Sequence, residues 1–197
     1  MSHPTFRPLL LAAGLAVALA LPAAAAETPP IGAPAPQFSL MDEDGKPHSL
    51  GDYKGKMVVL EWTNQECPYV KRHYRADTME KLAKEFEQDV VWLAVNSTRS
   101  NTPEDSKEWR AEQGFEYATL QDSEGTVGRL YGASTTPDMF VIDPAGVLRY
   151  SGAIDDDPRG KVDAPDNYVG KAIQAVLASN DPDPSQTRPY GCSVKYK

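Results

Sequence analysis

The chain predicts an α/β fold, a central mixed β-sheet flanked by helices, with an N-terminal β-hairpin and a C-terminal tail. Three observations carry that expectation. Two short apolar runs, residues 57–62 and 90–95, have the composition of strands buried on both faces. Helical spacing lies between and after them, so strands and helices alternate through the middle of the chain. Hairpin signatures stand near both ends, at residues 38–50 and 138–150.

Each element follows from its residues. Phe38 to Met41 alternates, and the cluster Asp42-Glu43-Asp44-Gly45-Lys46 turns the chain back toward His48-Ser49-Leu50. Residues 51–56 read as a loop before the strand Met57-Val58-Val59-Leu60-Glu61-Trp62. Over residues 68–88, Val70, Tyr74, Met79, Leu82, Ala83 and Phe86 share one broad face, which predicts a single long helix. Thr102 stands as N-cap of a helix over 103–113. A short strand is expected over 117–120 and a short helix over 125–131 closed by Gly132. Residues 138–142 and 147–150 form the last hairpin, and 167–178 the last helix.

The N-terminus bounds where the protein works. Arg7 precedes a thirteen-residue apolar run, Leu9 to Leu21, and Ala24-Ala25-Ala26 offers a cleavage site before Glu27. Residues 1–26 therefore read as a cleaved signal peptide, with export to the periplasm or outside the cell. The run falls short of the roughly 20 residues a membrane span needs, so no stable membrane insertion is expected after cleavage. Residues 27–36 read as a linker, 37–180 as the domain and 181–197 as a tail. The net charge of −8 becomes −9 once Arg7 is removed, and no basic stripe exists, which argues against nucleic acid as a partner.

Chemistry concentrates on the only two cysteines, Cys67 and Cys192. Cys67 follows an apolar strand and a polar link, and Pro68 opens the next helix. Proline favours the first helical position, which makes Cys67 the N-cap. The free N–H groups of that first turn, at Tyr69 and Val70, and the helix dipole favour a thiolate; Lys71 and Arg72 assist and Glu66 opposes. The competing reading is a structural bridge from Cys67 to Cys192. Its loop of about 125 residues is nominally worth about 4–5 kcal/mol by the chain-entropy relation.

Four segments give the chain a resemblance to the thioredoxin superfamily, in its redoxin or alkyl hydroperoxide reductase/thiol-specific antioxidant branch. They are Gly32-Ala33-Pro34-Ala35-Pro36-Gln37-Phe38-Ser39-Leu40 with its hairpin, Gly55 to Trp62, Cys67-Pro68-Tyr69-Val70, and Thr135-Thr136-Pro137-Asp138-Met139-Phe140-Val141-Ile142-Asp143. The resemblance implies a thioredoxin-like fold and a cis-proline at Pro137 lying against the active-site cysteine. It also implies a thiol-dependent reduction of a peroxide or a disulfide, driven by a thioredoxin-like or glutathione-like reductant. Cys67 is then the nucleophile and Cys192 the resolving thiol, with Asn64, Glu61, Thr136 and Pro137 as the supporting wall.

The pattern departs from the family at its centre. A Cys-x-x-Cys site has Val70 in place of its second cysteine if Cys67 is the first, or Asn64 in place of the first if Cys67 is the second. A peroxiredoxin-type site wants Thr or Ser where Asn64 stands. A non-catalytic binding module with a permanent Cys67–Cys192 bridge is the alternative of a different class.

Other candidates carry bland readings beside the functional ones. Glu61 ends an apolar strand and is either a proton shuttle with a raised pKa or a strand-end residue reaching solvent. Trp62 is expected in the core. His73 with the two cysteines would make a soft copper site, but a satisfied surface histidine is the stronger expectation. His48 is expected in a hairpin loop, and Asp155-Asp156-Asp157 as a solvated turn rather than a calcium loop. No cofactor or metal is expected.

Overall fold

The computed structural model describes Met1 and residues 28–197. The signal peptide expected over residues 1–26 lies outside the described residues, apart from Met1. Among the described residues no helix is long and apolar enough to cross a membrane.

The centre is a five-stranded mixed sheet. Its strands are β3 (Met57–Trp62), β4 (Val90–Asn96), β5 (Thr119–Gln121), β7 (Asp138–Ile142) and β8 (Leu148–Gly152). They lie in the order β5-β4-β3-β7-β8. β3, β4 and β5 run parallel, and β7 pairs antiparallel with both β3 and β8. Every residue of β3 and of β7 is buried, as their mostly apolar runs require, and with them the carboxyls of Glu61 and Asp138. β1 (Ser39–Met41) and β2 (Pro47–Ser49) form the separate N-terminal hairpin, followed by a 3-10 turn over Leu50–Tyr53.

The pleat of β3 divides the core. Met57 and Val59 face one cluster with Cys67, Val70, Tyr74, Met79, Trp109, Val169 and Ile173. Val58, Leu60 and Trp62 face a second with Phe38, Leu50, Val127 and Tyr131. Thus α1 (Pro68–Arg75), α2 (Thr78–Glu85) and α5 (Tyr168–Leu177) cover one face, and α4 (Thr126–Tyr131) and the hairpin cover the other. α3 (Pro103–Gln113) is capped at Thr102, whose hydroxyl accepts from Asp105 N–H at 3.2 Å.

Three expectations change. The helix expected over 68–88 is two helices, broken where Asp77 takes φ 53° and ends the α1 register. The apolar spacing runs through that break unaltered, so nothing in the pattern betrays it. The expected linker instead follows the sheet edge: Ala35 is buried, and Gly32 N–H and Leu148 N–H exchange bonds with Leu148 and Ala33 carbonyls. The tail is also structured. Its β9 (Cys192–Ser193) pairs antiparallel with β6 (Thr135–Thr136).

Candidate active site

Cys67 stands beyond the C-terminal end of the central strand as the last of the five residues that link β3 to α1. Asn64 shapes that link: its carbonyl accepts from Cys67 N–H at 2.9 Å and its side-chain oxygen from Glu66 N–H at 2.8 Å. Asn64 is thus a brace within the loop. Cys67 takes φ −77° and ψ 121° at the N-cap with Pro68 at the first helical position. No side-chain cap bond closes there, and Cys67 is only 1% exposed.

The second wall comes from the loop before β7. The Thr136–Pro137 peptide is cis, and Cys67 Sγ lies 3.0 Å from the Thr136 carbonyl oxygen. Thr136 Oγ1 is buried with no fixed partner, free to turn toward the sulfur. Asp138, next in the chain, is buried; one of its oxygens accepts from Ser134 N–H at 3.0 Å, and burial pushes its pKa up to about 7.

The third wall is the tail. Thr136 is the register partner of Cys192, so the second thiol arrives across a two-residue ladder rather than from the next turn of α1. Val70, where a Cys-x-x-Cys site carries its second cysteine, is fully buried in the core. Both cysteines are free thiols, and Thr136 stands between them, its carbonyl oxygen 3.0 Å from Cys67 Sγ and its backbone opposite Cys192. Burial opposes ionisation of Cys67, but the donors that surround the sulfur and can turn to a thiolate, the Cys192 thiol, Thr136 hydroxyl and the N–H groups of Val70 and Cys192, outweigh it and lower its pKa. Cys192 moves the other way, to about 11, through burial and the neighbouring Cys67.

Glu61 does not reach solvent. It is fully buried, with Tyr74 hydroxyl donating to Oε1 at 3.0 Å, Trp92 Nε1–H to Oε2 at 3.0 Å, and Tyr117 hydroxyl to Oε2 at 3.5 Å. Desolvation outweighs those donors and raises its pKa from 4.5 to about 7. Trp62 is in the core as expected, its indole N–H donating to Ser97 at 3.0 Å.

The histidines and the acidic turn differ from expectation because their partners come from distant segments. His73 is buried, with Nε2 at 3.1 Å from Tyr190 hydroxyl and Nδ1 at 4.0 Å from Asp155. Burial lowers its pKa to about 4. It belongs to an anchor for the tail: Tyr190 hydroxyl donates to Asp155, Arg72 donates to Asp157 carbonyl at 2.8 Å, and Tyr190 packs against Tyr69. Asp155 and Asp157 are therefore buried and only Asp156 is exposed. His48 is buried too, bonded to Asp42 at 2.8 Å and to Tyr53. Among the described residues no group of three His, Cys, Asp or Glu side chains is placed to hold a metal, and His73 does not join the cysteines in one.

Sequence reasoning missed Tyr190, Asp155 and Arg72 as the tail's anchor and Tyr74, Trp92 and Tyr117 as the clamp on Glu61. Only the clamp had a signal, since a buried carboxylate demands donors and these rings carry them.

Known proteins share the fold, and those similar in sequence include thiol-disulfide oxidoreductases and peroxiredoxins. The family model described as AhpC/TSA matches residues 31–151. The thiol-disulfide oxidoreductase ResA of Geobacillus thermodenitrificans is 32% identical over 121 residues, covering 60% of this chain and 67% of that one. A putative peroxiredoxin of Mycobacterium tuberculosis is 28% identical over 136 residues, covering 66% and 80%. The crystal structure of a hypothetical protein from Sinorhizobium meliloti 1021 superposes with a TM-score of 0.78 at 26% identity, over 87% of this chain and 97% of that one.

Proposed function

The chain belongs to the AhpC/TSA family, and on that footing we propose that it is an exported thiol oxidoreductase with Cys67 as nucleophile and Cys192 as resolving thiol. Cys67 thiolate attacks one sulfur of a disulfide, or one oxygen of a peroxide, and the leaving group departs with the broken bond's electron pair. Cys192, as thiolate, then attacks Cys67 sulfur and displaces the remaining group. A Cys67–Cys192 disulfide forms, two electrons have passed to the substrate, and an outside thioredoxin-like or glutathione-like thiol reopens it.

One observation carries the reading: β9 seats Cys192 opposite Thr136, whose carbonyl oxygen lies 3.0 Å from Cys67 Sγ. The proton balance is also provided for. Cys67 ionises more readily than an ordinary thiol while Cys192 keeps its proton in the resting pair; once Cys67 is bonded to the substrate, the neighbouring charge that helps to raise Cys192 is gone, and its proton passes to the leaving thiolate or hydroxide. Thr136 and Pro137 form the wall against which the sulfur rests. Export is inferred from the N-terminal sequence alone.

The burial of Cys67 favours a second reading, a binding module stapled by a permanent bridge. Titrating the pair against glutathione with a mass readout separates the two. A bridge that opens within the glutathione range, with Cys67 ionising well below about 8.5, supports the enzyme. A bridge that stays closed until the protein unfolds overturns it.

A further inference from the structure

The edge of β6 is filled by the chain's own C-terminus. Thr135 and Thr136 lie opposite Ser193 and Cys192, and Val194 N–H donates to Ser134 carbonyl at 3.1 Å. These are main-chain bonds, which any extended chain can make equally well. The strand itself covers Cys67, which is 1% exposed with the tail seated. The firm anchors stand on either side of β9 rather than on it. Tyr190 is held by Asp155 and His73, and Tyr196 hydroxyl donates to Ala133 carbonyl at 2.7 Å. Neither anchor is a party to the ladder bonds of β9, although Arg99 N–H also donates to Lys195 carbonyl at 3.0 Å and Val194 packs against the core. A cleft of about 550 Å³, lined by Thr135, Asp155, Tyr168, Arg188 and Gly191, flanks the strand.

We propose that residues 191–193 are a built-in ligand, filling in cis a strand-addition site for an extended cysteine-bearing polypeptide, so that Cys67 meets its substrate by exchange of one strand for the other. The proposal rests on Cys67 as the nucleophile and names the substrate class of that site. A polypeptide replaces the ladder bonds the departing tail gives up; a peroxide cannot. The seat also selects at one position. A Cβ on Gly191 would lie 2.0 Å from Thr136 carbonyl oxygen and 3.2 Å from Pro137 nitrogen, at φ +149°. An incoming chain in this register therefore carries glycine before its cysteine.

The exchange balances. The partner cysteine, bound in a disulfide, takes the place of Cys192; Cys67 thiolate attacks its sulfur, and the other half of that disulfide leaves as a thiolate with the electron pair. The tail then reseats, and Cys192 thiolate displaces the partner cysteine.

The test uses the full chain with Cys192→Ser, so that Cys67 is the only thiol. The probe is the peptide Tyr-Gly-Cys-Ser-Val with thionitrobenzoate on its cysteine, whose release is followed by absorbance. Adding Gly191→Ala unseats the strand and should speed release by about ten-fold or more, as expected when local opening gates the reaction. A peptide with Ala before Cys should react about five-fold more slowly than the Gly-Cys peptide, since the clash with Thr136 passes to the ligand. Should Gly191→Ala not fold, Tyr190→Phe loosens one anchor and should give about a three-fold gain.

Equal rates with and without Gly191→Ala, or for the two peptides, overturn the strand exchange and leave the thiol chemistry standing. A Cys67 silent toward both peptides in every variant overturns the nucleophile assignment as well. A wild-type dimer linked from Cys67 of one copy to Cys192 of another would make the occupant a second copy of this chain, and overturn the assignment to a separate polypeptide.

Discussion

At the start of α1, Cys67 is held by backbone on both sides and buried between the sheet and the tail. On β9, Cys192 is half-buried and reaches the fold through a two-residue ladder. Their titrations diverge in the same sense: Cys67 falls below the ordinary thiol value and Cys192 rises to about 11. The two thiols lie in one site, and the opposite directions of their shifts put the first charge on Cys67. Position and acidity thus separate two roles. The fixed thiol suits attack, because its geometry needs no search. The thiol on a short strand suits resolution, because it has to move aside for a substrate and then return.

Replacing each cysteine tests that division most severely. Cys67→Ser should lower turnover by roughly a thousand-fold or more, as removal of a nucleophile does. Cys192→Ser should instead leave the first half-reaction intact and stop at a mixed disulfide on Cys67, detected as a mass adduct. An adduct that collects on Cys192 in Cys67→Ser would reverse the roles.

Glu61 sharpens the comparison from the rigid side. The folded protein holds its proton up to about pH 7, whereas the unfolded chain releases it near 4.5. That contribution to stability is complete below about 4.5 and is lost as pH rises through about 7, a change of roughly 3 kcal/mol. Asp138, raised from 3.8 to about 7 by burial, adds a slope of the same sign. Glu61→Gln should therefore flatten about half of the fall in urea stability between pH 5 and 8. It should also cost about 1–2 kcal/mol at pH 5, because an amide cannot accept from both Tyr74 and Trp92. An unchanged slope would mean that Glu61 is ionised throughout.

Tyr190→Phe probes the mobile side. It removes the hydroxyl shared by Asp155 and His73, at a cost of about 1–2 kcal/mol. Amide exchange of residues 190–194 should quicken while that of β3 and β4 does not. His73 gives the anchor a pH limit of its own. Its folded pKa of about 4 lies below the usual 6.5, so its contribution is present above 6.5 and is lost as pH falls toward 4. The tail should loosen first in acid, on the opposite side of neutrality from the Glu61 effect.

The rigid region was far more legible in the sequence than the tail. Predominantly apolar runs mark β3, β4 and β7, because strands buried on both faces have little room for anything else. Pro68 and Thr102 announce helix starts through purely local rules, and Cys67 stands out by its place beside one of them. The pairing of Thr136 with Cys192 has no such mark. Two residues of extended chain carry no periodicity, and their ladder joins segments more than fifty residues apart through backbone atoms common to every residue. The burial of His73, Asp155 and Asp157 was hidden for a related reason. Polar residues default to the surface, and what keeps these inside is Tyr190, an aromatic that the local sequence shows only as part of a proline-punctuated tail.

The smallest effect bears on how far the two regions are independent. Thr102→Ala removes the cap of α3, where the hydroxyl accepts from Asp105 N–H and the Asp105 carboxylate accepts from Thr102 N–H at 2.8 Å. The loss should be about 1 kcal/mol, or about 2–4 °C in melting temperature. α3 touches the site at one remove: Trp109 packs edge-on against Tyr74 at 5.3 Å, and Tyr74 holds Glu61. A frayed first turn begins seven residues before Trp109, about two helical turns away, and should leave that contact in place. Cys67 alkylation rates should therefore match the wild type within about two-fold, since distant sites add independently. A larger change would show that the scaffold behind Cys67 is less finished than its burial implies, and that part of the contrast with Cys192 is one of degree.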